Sequence, residues 1–168
     1  RLDDTKGQAR EQRERAACGA ILQLLEGRLT RVDEAFQQVS AAEVPYLKGV
    51  EVLPVDESKQ ALADSEAAAS AVQQALAGVR ELMVSKRPQV QRYVAAVARF
   101  GLQQMDASRK AHDDALEKLE EFKRETEGRR RASLREEARE LVSEAEESTA
   151  RVCESSQALP EEAELDAL

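Results

Sequence analysis

His112 is the only histidine in the chain, so any imidazole chemistry, metal ligation or proton transfer, falls to it. A helix that holds a metal offers a carboxylate or second imidazole three or four residues away on the same face. Those positions carry Ser108, Arg109, Ala115 and Leu116. Asp113 and Asp114 are adjacent in sequence but are expected to point elsewhere around the helix. A Ser-His-Asp or Cys-His nucleophile would require His112 to meet a residue far away in the chain. No G-x-x-x-x-G-K-[ST] or G-x-G-x-x-G phosphate loop is present. The expectation is a protein that is no enzyme and uses no cofactor or metal, with His112 a polar residue in a packed seam.

Three other groups suit recognition better than catalysis. Lys123, Arg124, Arg129, Arg130 and Arg131 form a basic run that fits an acidic surface, such as a microtubule or a membrane. Glu120, Glu121, Glu125 and Glu127 are interleaved with it, however, and alternating charge of this kind usually marks a solvated helix face. The second group is the stretch V-P-Y-L-K-G-V-E-V-L-P-V at 44–55, apolar where connecting segments are normally polar. Tyr46, Leu47, Val50 and Leu53 there either cap a bundle end or form a docking patch for a partner; the cap is the favoured reading. The third is Ser133. Arg130-Arg131-Ala132-Ser133-Leu134 resembles the preferred substrate sequence of basophilic protein kinases, which implies phosphorylation of Ser133. Ser133 and Glu136 also make an S-x-x-E capping box that would start a last helix.

The elements that must carry these residues are read from periodicity. Cys18, Leu22, Leu25, Leu29, Val32, Phe36 and Val39 alternate at three- and four-residue spacing, and Leu62, Ser65, Ala69, Val72, Leu76, Val79 and Met83 repeat the pattern. Such stripes are seams of helices packed side by side. The fold class is therefore all-α, an elongated helical bundle of long coiled-coil-like helices. Eight of the seventeen residues at 61–77 are alanine, which favours helix and lets a neighbouring helix approach closely.

The first helix, with a polar N-terminal extension, spans 1–43, and the apolar connection spans 44–56 with Asp56 as N-cap. A long helix follows at 57–127, kinked or split near Pro88. The seam keeps phase from Met83 through Lys86, Val90, Tyr93 and Val97 to Phe100, which favours one kinked helix over a turn at 85–88. Its 71 residues would span roughly 106 Å. Near Gly101 the phase slips onto Met105, Ser108, His112, Ala115, Leu119 and Phe122, as a four-residue insertion would cause. A break at Gly128 then leads into the last helix, 128–158, and an acidic disordered tail, 159–168.

Composition restricts the partners. The net charge is −8, and residues 154–168 hold five acidic and no basic side chains. The remainder is a mixed-charge surface with no broad basic face, which argues against nucleic acid. Cys18 and Cys153 form no CxxC pair, a pattern that fits the reducing cytoplasm. No stretch approaches the roughly 20 apolar residues of a transmembrane segment. The alanine-rich seam after P-V-D-E and the V-x-R-[YF] texture at Val90–Tyr93 and Val97–Phe100 resemble helical-repeat segments of large cytoskeletal or scaffold proteins. That resemblance implies a structural or scaffold segment that joins other helical proteins, self-associates or meets a cytoskeletal partner. The alternative is a binding module for an acidic surface through 123–131.

Overall fold

The computed structural model describes residues 2–47 and 53–157, with side chains from Thr5 to Ser156. Their chain is built from α1 (Leu2–Glu43), a 3-10 turn (Val44–Leu47), α2 (Val55–Gln91) and α3 (Ala95–Gln157), and no strand occurs among the described residues. The protein is an all-α bundle, as its seams require, with three long helices among the described residues. Val50 and the acidic stretch 159–168 lie outside the described residues.

Cross-helix contacts fix the directions. Arg28 of α1 donates to the Gly78 carbonyl of α2, at the middle of an antiparallel pair. Between α2 and α3, Lys59 meets Glu137 at 2.7 Å, Arg130 meets Glu66, and Lys123 meets Gln73 at 2.6 Å. Each seven-residue step forward on α2 is matched by seven residues back on α3, so this antiparallel register holds over two heptads without slipping. α1 and α3 run parallel, with Cys18 beside Gly101 and Glu43 beside Arg129.

The core follows the heptads, with one refinement. On α1 the most buried positions are Cys18, Ile21, Leu25, Val32, Ala35 and Val39, while Leu22, Leu29 and Phe36 are only half-buried. The stripe read from sequence thus joins one central position of each heptad to its flanking position. A helix with two neighbours buries a broader face than a two-stranded seam does. Arg28 occupies the remaining central position and resolves its charge at the Gly78 carbonyl, with Glu81 at 3.9 Å. On α2 the sequence seam from Leu62 to Val79 is buried throughout.

Three expectations about the chain's path are corrected. The segment 57–127 is not one helix: α2 ends at Gln91, residues 92–94 reverse the chain, and α3 starts at Ala95. Pro88 lies inside α2, one turn before its end, so it marks neither a mid-rod kink nor the turn itself. The Arg92 N–H closes the end by donating to the Gln89 carbonyl, and the Tyr93 N–H donates to that of Val90. The phase slip near Gly101 is not an insertion into one rod: it lies inside α3, past the reversal, where Val97, Gly101 and Met105 are buried and Phe100 is 55% exposed. Gly101 itself is buried: a Cβ there would stand 2.7 Å from both Cys18 Sγ and Val90 Cγ1. Finally, α3 passes unbroken through Gly128, where a Cβ would meet nothing within 4 Å. One glycine costs a helix about 1 kcal/mol, too little to break one held by packing on both sides. Ser133 is therefore a helix-interior residue and caps nothing. At the start of α2, Asp56 lies in the first turn with Glu57, opposite the helix dipole, and Pro54 holds the cap position without a side-chain hydrogen bond.

The reversal is held from a distance. Glu14 of α1 accepts the Val94 N–H through Oε2 at 2.5 Å and the Arg10 Nε–H through Oε1 at 2.7 Å. The Arg10 hydrogen bond, followed by the Val94 N–H, holds the Glu14 carboxyl below its ordinary value. A carboxyl lowered in the folded state adds stability above its unfolded pKa, and that stability is lost as pH falls through the folded one. Glu14→Gln is accordingly expected to melt below the parent chain at about pH 7, and the gap to close towards about pH 3 as Glu14 protonates. Thermal melts of both proteins across that range check it; a gap that stays constant with pH would refute the role of the charge.

The helices differ in length. At 1.5 Å per residue α2 spans about 55 Å and α3 about 95 Å. Lys59, near the start of α2, meets Glu137, and from residue 138 to 156 every residue of α3 is exposed. α3 therefore overhangs the bundle by more than two heptads, carrying Leu141 at 61%, Val142 at 57% and Val152 at 66% exposure. The exposed Cys153 sits on this overhang, whereas Cys18 is buried in the core, where desolvation pushes its thiol pKa up. No helix among the described residues is long and apolar enough to cross a membrane.

Candidate functional site

At the end where α1 hands over to α2, a cavity of about 380 Å³ opens between the 3-10 turn, the first turn of α2 and the middle of α3. Tyr46 and Leu53 enter it from the connection, Val55 and Ser58 from α2, and Arg129 and Ser133 from α3. Two groups that are about 80 residues apart in sequence, the apolar connection and the basic run, thus meet in one place. Parallel packing of α1 on α3 makes this possible, because it sets the end of α1 beside Arg129.

The Arg129 guanidinium lies over the Tyr46 ring, with Cζ 4.3 Å from the centroid, a cation–π contact strengthened by partial burial. Its Nη2 makes two long contacts, 3.4 Å to Glu43 and 3.5 Å to Glu125. Its Nη1 is buried without a hydrogen-bond partner, as is the Tyr46 Oη. Burial raises the Tyr46 phenol pKa, opposed by the Arg129 charge and by nearby Ser65. The Ser65 hydroxyl donates its own proton to the Ala61 carbonyl. Arg135 and Arg139 stand on the rim. Arg135 Nε bonds the carbonyl of Arg131, and Arg139 Nη1 meets Glu136 at 3.2 Å.

The remaining sequence candidates fall elsewhere. Leu47 is 78% exposed and does not line the cavity, so the connection is split: Tyr46 and Leu53 turn in, Leu47 turns out. The basic run does not form a face either. Lys123 and Arg130, a heptad apart, reach towards α2. Arg124 and Arg131, also a heptad apart, point outward and pair with Glu121 at 3.6 Å and Glu127 at 3.0 Å. Arg129 alone faces the connection. Helical geometry disperses neighbours in sequence by about 100° per residue, and the interleaved glutamates take up the charges as i,i+3 and i,i+4 partners.

His112 is buried in the α2–α3 seam, in a groove with Leu76, Leu116 and Leu119. Its Nδ1 lies 3.0 Å from Asp113 Oδ1. Adjacent helix residues diverge at Cβ, yet the short carboxylate reaches back to the ring, so Asp113 does not point away as expected. Among the described residues no three His, Cys, Asp or Glu side chains converge as metal ligands would.

No family model, no curated protein and no solved structure matches this chain. The site therefore has to be read from its own chemistry. Of its lining, the sequence singles out Tyr46 and Leu53 for docking, Arg129 for an acidic surface and Ser133 for phosphorylation, and does not single out Ser58, Arg135 or Arg139. Arg139 carried a signal, because residues 129, 132, 136 and 139 fall on one face of a helix.

Proposed function

We propose that this chain is a structural or scaffold segment that acts by protein–protein contact, with other helical proteins or with a second copy. The observation that carries the reading is the overhang of α3. A helix is stabilised mainly by burying an apolar face, and here Leu141, Val142 and Val152 stand exposed on a stretch that neither α1 nor α2 reaches. Leu134, Ala138, Leu141, Ala145 and Val152 keep heptad spacing along it, the pattern a partner helix reads. The slender bundle and mixed-charge surface suit a spacer. Assembly on the cytoskeleton and a cytoplasmic location belong to the same reading.

The test is site-specific photo-crosslinking in cells. A crosslinker at Ser148, on the overhang, is expected to trap a discrete adduct that disappears in Leu141→Glu/Val152→Glu. The same group at Gln23, exposed on the bundle, is expected to trap none. Equal crosslinking from both positions, or from Ser148 with and without the glutamates, would sink the reading.

A further inference from the structure

We propose that the cavity at the connection end binds a soluble phosphate monoester. Its charge decides the class. Among the described residues the lining holds three arginines, Arg129, Arg135 and Arg139, against one acid, Glu136, with Glu43 and Glu125 outside the lining at 3.4 and 3.5 Å from Arg129, so a dianion fits better than a lone carboxylate. Guanidinium forks match phosphate oxygens in geometry as well as charge, and Ser58 and Ser133 add hydroxyl donors. Arg129 has donor capacity to spare at Nη2, where both acid contacts are long.

The opposite wall sets what the phosphate is attached to. Leu53, Val55, Ala132 and the Tyr46 ring are apolar, which suits an ester with an apolar or aromatic body and disfavours bare inorganic phosphate. A volume of about 380 Å³ lies within the ordinary range of small-ligand sites. Arg135 and Arg139 are exposed. Among the described residues each is tied within its own helix, Arg135 to the Arg131 carbonyl and Arg139 to an exchangeable glutamate, so both can turn over a ligand. This inference stands apart from the scaffold reading, because it concerns the bundle end and not the α3 overhang.

The test is calorimetric titration of the whole chain with phenyl phosphate, inorganic phosphate and benzoate as probes. Phenyl phosphate is expected to bind tightest and benzoate weakest. The double variant Arg135→Gln/Arg139→Gln, whose residues are exposed, is expected to keep the parent melting temperature and to bind phenyl phosphate roughly tenfold or more weakly. Arg129→Lys, which keeps the charge but loses the fork, is expected to weaken it likewise. The proposal is overturned by absence of phenyl phosphate binding, by benzoate binding as tightly, or by rim variants that bind as the parent does. Capture on vesicles containing phosphatidic acid without phenyl phosphate binding would also overturn it, in favour of a lipid headgroup.

Discussion

Leu25→Ala is expected to lower the unfolding free energy by about 2–5 kcal/mol, whereas Leu24→Ala, one residue away, leaves it within about 0.5 kcal/mol. Leu25 is 1% exposed and Leu24 58% exposed. The first sits where α1 faces the interior of the bundle, so truncation removes buried methyl groups and leaves a void between helices that relax only partly. The second already faces water. Small domains are stable by only about 5–15 kcal/mol, so the loss at Leu25 is a large share of the whole. Urea titration of both variants measures it: the midpoint should fall steeply for Leu25→Ala and scarcely move for Leu24→Ala. Equal losses would mean that the seam of α1 is set differently from the one described.

The second large effect is a reversal of sign between two helix glycines. Glycine to alanine in a helix interior normally gains about 1 kcal/mol, and Gly128→Ala should do so because nothing lies near the new methyl. Gly101→Ala should instead destabilise. Its Cβ would lie 2.7 Å from Cys18 Sγ and from Val90 Cγ1, and both of those side chains are almost wholly buried. Overpacking of this kind costs about 1–3 kcal/mol, more than the helix propensity returns. At Gly101 all three helices meet, α1 through Cys18 and α2 through Val90. Cys18→Ala in the Gly101→Ala background should recover part of the loss by removing one of the two collisions. Thermal or urea unfolding of the three variants checks the order; a gain for Gly101→Ala equal to that for Gly128→Ala would refute the close approach.

The heptad stripes by themselves determined that the protein is all-α and most of its core, though not Ile21, Ala35 or Leu82. Leu25, Val32, Val72, Val79, Met105 and Leu119 were legible because a helix face is a local property, fixed by 3.6-residue periodicity. The tertiary structure decided the rest. The reversal at 92–94 was hidden because Tyr93 and Val97 happen to continue the phase of α2. What holds it is the Glu14 carboxylate on the Val94 N–H, a bond across 80 residues. The reach of α3 through Gly128 was likewise set by its neighbours: packing against α2 on both sides of that glycine outweighs a small propensity cost. Parallel alignment of α1 and α3 then brought Tyr46 under Arg129 and made a cavity from two segments that look unrelated in sequence. Periodicity reports which face of a helix is buried; which helix buries it, and where the chain turns back, depends on contacts between distant residues.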